Sequence, residues 1–189
     1  MAKQEYKSAI RSKSFIKHAL IKLLSEKDYD RITVTEVIEA SGISRGTFYS
    51  HYKSLDDVLN QISDEEYNRM VNLIGDNIEM FFDPEILLLF ISNIFAYIEE
   101  DKDYYTKIIL YYPLYTDIMK KISDKYKSEV YRILKEKSTI KTDEEANYFL
   151  IFAIGGIQNE ILQWANNNSG LNAEIVVNIL RAMFRIYLK

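Results

Sequence analysis

Residues 32–53 read ITVTEVIEASGISRGTFYSHYK. The run divides into two short helices around a glycine turn. Thr33, Val34, Thr35 and Glu36 have the spacing of a capping box, in which the threonine hydroxyl and the glutamate carboxylate each satisfy a backbone N–H that the first helical turn leaves unpaired. Thr33 is therefore the expected N-cap, and Val37 and Ile38 supply the apolar side of the helix that follows. Gly42 can take the left-handed conformation that ends a helix, and Ser44 can cap a second helix two residues later. Two helices joined by a short turn containing glycine form a helix-turn-helix.

On the second helix Phe48 and Tyr52 are one turn apart and can pack inward beside Ile43, whereas Arg45, Gly46, Tyr49 and Ser50 point the other way. That outer face is small, polar and positively charged. It suits a DNA major groove: glycine lets the backbone approach, arginine can fork onto guanine, and hydroxyls can reach phosphates or base edges. An amphipathic helical hairpin with no DNA role has the same spacing, so spacing alone leaves both readings open.

The longer run ITVTEVIEASGISRGTFYSHYKSLDDVL closely resembles the DNA-binding region of the TetR family of bacterial one-component transcription regulators. In that family a threonine opens the second helix, a Gly-(Val/Ile)-Ser turn leads into the recognition helix, and an aromatic-Tyr-x-(His/Tyr)-(Phe/Tyr) run closes it. Thr33, Gly42, Ile43, Ser44, Gly46, Phe48, Tyr49, His51, Tyr52 and Lys53 fall on this pattern. Leu55 departs from it, because many relatives carry a lysine there that meets a phosphate. The resemblance implies that Arg45, Gly46, Thr47, Tyr49 and Ser50 form the reading face. It also implies that Thr33, Ser44, His51, Tyr52 and Lys53 hold phosphates.

The composition agrees with an all-α protein. Two prolines and six glycines in 189 residues leave few helix breakers, and there is no cysteine for a disulfide or a thiolate metal site. His18 and His51 cannot build a metal cluster by themselves. No phosphate loop, nucleophile elbow or metal-ligand spacing points to an enzyme, and no cofactor is expected. No apolar run is long enough to span a bilayer and nothing resembles a signal peptide, so the expected compartment is the cytoplasm. The net charge of −4 is unevenly divided. Residues 1–53 carry ten Lys/Arg against six Asp/Glu, a net of +4, and residues 54–189 carry fourteen against twenty-two, a net of −8. A basic N-terminal quarter suits a polyanion.

These features divide the chain into a three-helix DNA-binding domain over residues 1–53 and a helical regulatory and dimerisation domain over 54–189, about nine helices in all. An amphipathic first helix is expected over 7–27, with Ile10, Phe15, Ile16, Ala19 and Leu20 on its apolar side; Lys3, Lys7, Arg11, Lys13 and Lys17 on its polar side either approach phosphates at the groove edge or are simply solvated. Ser54 can cap a long connecting helix running to about Met80, and Asp83-Pro84 starts the next. A short helix interrupted by Pro113 and a longer one to Lys137 are assigned to the second domain. There tyrosine is abundant, and its flat apolar body with one polar tip suits a pocket wall. Tyr97, Tyr105, Tyr111, Tyr112 and Tyr126, with Gln158, are the candidate lining of an effector pocket.

The last two helices are expected over 142–166 and 171–188. The first is apolar on more than one side, and Gly155-Gly156 permits close approach of a neighbouring helix. Phe152, Gly155, Gly156, Ile161, Trp164, Ile179 and Met183 are therefore the candidate interface of a homodimeric four-helix bundle, an assembly that the family resemblance also implies. The Gly155-Gly156…Ile161-x-x-Trp164 run bears a looser resemblance to a C-terminal domain of regulators of dihydroxyacetone kinase, which names no ligand. The expected function is a ligand-responsive repressor. It would bind a palindromic double-stranded operator as a homodimer and be released by a small-molecule effector. The alternative is a sensor or coactivator of the same fold acting through a partner protein.

Overall fold

The computed structural model describes residues 2–167 together with 174–176, 178, 179 and 182. Among them the secondary structure is helical: α1 (Ala2–Leu24), α2 (Val34–Ser41), α3 (Arg45–His51), α4 (Leu55–Ile74), α5 (Pro84–Glu100), α6 (Lys102–Leu110), α7 (Tyr112–Lys137) and α8 (Asp143–Asn167), with 3-10 turns at Tyr29–Arg31 and Ile78–Phe82. Residues 174–176, 178, 179 and 182 are also helical, within the span expected for the final helix. No described helix is long and apolar enough to cross a membrane.

The chain forms two compact units. The first comprises residues 1–66 and 103–118. Its α1, α2 and α3 pack on one another, and Ile16, Leu20, Ile21, Val37, Phe48, Val58 and Ile62 are buried in it. Ile10 and Phe15, expected on the apolar side of α1, are exposed instead. The second unit comprises residues 67–102 and 119–189. One of its cores gathers Tyr131, Leu134, Ile140, Ala146, Phe149 and Ala153. Another gathers Ile91, Phe95 and Val176, with Leu87, Leu88 and Ile157 against them.

Three boundaries differ from expectation. The connecting helix stops at Ile74 rather than near Met80, because Gly75 adopts φ +71° and closes the last turn with its N–H on the Val71 carbonyl at 2.8 Å. Pro113 does not interrupt a helix but lies in the first turn of α7, where its missing N–H costs no hydrogen bond. The first unit also extends past residue 53. Leu55, Val58 and Ile62 of α4 are buried, and residues 103–118 are tied to α1 and α4. Tyr104 stacks on His18 at 4.6 Å between ring centroids. The Ser63 hydroxyl donates to the Asp117 carboxylate, and the Tyr105 hydroxyl lies 3.5 Å from Glu66 Oε2.

Candidate nucleic-acid interface

The turn between α2 and α3 is set by local hydrogen bonds. The Thr33 hydroxyl accepts from the Glu36 N–H at 3.3 Å, and the Glu36 carboxylate accepts from the Thr33 N–H at 2.9 Å, closing the capping box. Lys27 adds an ion pair to the same carboxylate. The Lys27 hydrogen bond, followed by those from Thr33, draws the Glu36 carboxyl down to about 2. Gly42 sits at φ +66°, and its N–H closes α2 on the Glu39 carbonyl at 3.2 Å. Ser44 Oγ accepts from the Thr47 N–H at 3.0 Å and starts α3. At the far end Ser54 Oγ accepts from the Asp57 N–H at 3.2 Å, and Asp57 accepts from the Lys53 N–H at 2.8 Å, which anchors the start of α4.

These caps fix the rotation of α3. Phe48 is fully buried, so the opposite side of the helix faces outward. Arg45, Gly46, Ser50 and Lys53 are exposed, as are Thr33 and Ser44. Tyr49 is 47% exposed, and the Arg45 guanidinium carbon stands 5.4 Å from its ring centroid. Thr47 and His51 are half-buried. Arg45, Gly46, Tyr49 and Ser50 thus share one solvent-facing side of α3.

Tyr52 does not join them. It is 4% exposed, and its hydroxyl is buried without a hydrogen-bond partner. Burial, and after it the Glu65 charge, raises the phenol above its ordinary value. The hydroxyl therefore offers nothing to a phosphate in this conformation, because Tyr52 is the C-cap of α3 and its ring turns into the unit beside Phe48, 5.9 Å between centroids. Leu55, at the place of the missing lysine, is buried as well. Lys13, one of the α1 cations expected to approach phosphates at the groove edge, has its Nζ 5.9 Å from the Tyr52 ring centroid. Its place on the polar side of α1 was the only sequence signal for it.

The candidate effector residues divide between the two units. Tyr105, Tyr111 and Tyr112 fall in the first unit, and Tyr97, Tyr126 and Gln158 in the second. Tyr105 is buried beside Glu66, and Tyr112 is exposed. Tyr111 is half-buried, its phenol raised by burial and then by the charges of Asp30 and Asp56. Tyr126 is buried and donates to the Gly75 carbonyl at 3.0 Å, bracing the end of α4. Tyr97 lies under the Arg69 guanidinium at 5.2 Å, and Gln158 is half-buried. A surface groove of about 270 Å³ in the second unit is lined by Ser128, Tyr131, Arg132, Lys135, Glu136 and Asp143, none of them among the candidates.

Along α8 the candidate interface residues separate. Phe152 is 71% exposed, and Gly155 and Gly156 are exposed with open space around them. Ile161 is half-buried and Ile179 is exposed. Met183 lies outside the described residues. Trp164 is 1% exposed within its own chain, and its ring takes the Lys102 ammonium at 5.2 Å. It therefore has no surface left for a partner, since its own unit already covers it. Tyr148 and Ile151, apolar residues of this helix that are not among the interface candidates, are exposed and complete with Phe152 and Gly155 an i, i+3, i+4, i+7 stripe along α8.

Residues 16–62 match the family described as bacterial regulatory proteins, tetR family. The HTH-type dhaKLM operon transcriptional activator DhaS of Lactococcus lactis subsp. lactis (strain IL1403) is 26% identical over 105 residues, 55% of this chain and 52% of its own length. The chain thus spans about half the length of this curated relative. Among solved structures, the fold is similar to a TetR transcriptional regulator from Streptococcus agalactiae 2603V, with a TM-score of 0.64 at 22% identity, covering 97% of this chain and 98% of that one. It is also similar to a dihydroxyacetone kinase operon activator DhaS, with a TM-score of 0.54 at 20% identity over 94% and 98% of the two chains.

Proposed function

We propose, because the chain belongs to the tetR family of bacterial regulatory proteins, that it is a ligand-responsive transcription regulator which binds a palindromic operator as a homodimer. Its two α3 helices would enter successive major grooves, about one helical turn of DNA apart. The observation that carries this reading is the side of α3 opposite the buried Phe48, where Arg45, Gly46, Tyr49 and Ser50 are all exposed beside capped helix ends. Arg45 and Tyr49 read base edges, while Thr33, Ser44, His51 and Lys53 approach phosphates.

The homodimer is supported by the exposed apolar stripe on α8, which single soluble chains rarely leave uncovered. A small-molecule effector would favour a dimer geometry that no longer fits the operator, and binding of effector and DNA would be reciprocally coupled. Repression relieved by that effector is the first reading of the output. Activation is the second, favoured by the relatives whose names describe operon activators.

An electrophoretic shift with DNA from upstream of the gene tests the core of this reading. A discrete complex that survives excess non-specific competitor is expected, and its absence at micromolar protein would overturn it. A reporter driven by the same DNA gives the sign of the output.

A further inference from the structure

We propose that Lys13 of α1 is a phosphate contact of the DNA interface, seated on the ring of Tyr52 at the C-terminal end of α3; this deepens the DNA-binding reading and rests on it. The Lys13 Nζ stands 5.9 Å from the Tyr52 ring centroid. Tyr52 is the C-cap of α3, so this contact links α1 to the last residue of the recognition helix. The His51 ring is 6.4 Å from that of Tyr52, and Lys53 follows directly in the chain. Lys13 and the His51 ring thus both stand beside the buried Tyr52 ring.

The neighbouring cations Lys17 and Arg11 of α1 make other contacts. Lys17 is paired with Glu65, and Arg11 lies over the Phe15 ring at 5.2 Å. Lys13 forms no ion pair with any carboxylate among the described residues. Of the positions from which the family resemblance draws phosphate contacts here, Tyr52 and the place of the missing lysine are closed, since the Tyr52 hydroxyl is buried and so is Leu55. A lysine whose ammonium lies over an aromatic face is oriented before an anion arrives. Such a head group loses less freedom on meeting a phosphate than one on a free side chain.

The test is the dependence of DNA affinity on salt, measured with full-length protein and the upstream DNA. Each lysine–phosphate contact contributes about 0.9 to the slope of log K against log salt. Lys13→Gln should therefore flatten the slope by about 0.9 per protomer, about 1.8 for a dimer, and lower affinity equally for specific and scrambled duplexes. Lys13→Arg and Tyr52→Phe should keep the wild-type slope, because the first keeps the charge and the second keeps the ring. Lys13→Met, which preserves the apolar stem, gives the same reading if the glutamine variant melts early. A wild-type slope in both neutral variants overturns the assignment while leaving the DNA-binding reading intact. Wild-type protein that binds neither duplex overturns both.

Discussion

The Arg45 guanidinium rests over the Tyr49 ring, 5.4 Å from its centroid, one turn apart on the exposed side of α3. The contact holds the arginine along the helix surface before any DNA is met, and its cation–π attraction is modest at an exposed site. Arg45→Ala should cost about 1–3 kcal/mol in specific binding, the range for one good bidentate base contact. Tyr49→Ala should cost less, and the double variant less than the sum, because the residues share a contact. Gel-shift titration measures each loss, and unchanged circular dichroism separates it from unfolding. Wild-type affinity in both single variants would place the reading face elsewhere.

Gly42 is the hinge of the turn, and its requirement is conformational only. At φ +66° a Cβ would meet nothing within 4 Å, so alanine is opposed by backbone geometry and not by a clash. Gly42→Ala should therefore destabilise by about 1–2 kcal/mol, and Gly42→Asn by less, because asparagine visits the left-handed region more readily. Urea midpoints compare them. Equal midpoints for wild type and Gly42→Ala would contradict the assigned turn.

Glu36 provides a pH handle on the start of α2. Its carboxyl is held at about 2 against an ordinary 4.5, first by Lys27 and then by Thr33. The folded value is the lower one, so the stabilisation is fully present above the ordinary value and is lost as pH falls toward about 2. Carbon-detected NMR titration of the side-chain carboxyl should place its midpoint well below that of exposed glutamates, and Lys27→Ala should raise it. A midpoint in the usual carboxylate range in the wild type would dissolve the proposed cap network.

Phe152 tests the proposed homodimer. At 71% exposure it is the most open of the large apolar side chains described on α8, and Gly155 and Gly156 beside it leave room for another backbone. Phe152→Glu should shift a dimer to monomer in sedimentation at micromolar concentration without lowering helix content. Wild-type protein already monomeric there would refute the dimer. A Phe152→Glu protein that remains dimeric would move the interface off this stripe.

How much was legible in the sequence follows from the range of the forces involved. Thr33, Glu36, Gly42, Ser44 and Asp83 act on backbone groups within three residues, so their roles could be read directly from spacing, and the structure has them in those roles. Gly75 acts just as locally, yet the apolar pattern runs on past it through Ile78 and masks the stop. The direction of the Tyr52 hydroxyl and the cover over Trp164 depend on what packs against them, which no local pattern specifies.

By itself the sequence determined the helical class, the helix-turn-helix with its caps and turn, and the side of α3 that faces out, because hydrogen bonds within a few residues and a 3.6-residue period are written along the chain. Only the tertiary structure decided that residues 103–118 belong with the N-terminal unit, through Tyr104 on His18 and Asp117 on Ser63. It likewise divided the tyrosines between two units and set Lys13 on Tyr52. Each of these joins residues at least 39 positions apart, and packing at that separation depends on the shape of the folded core, which local periodicity does not encode.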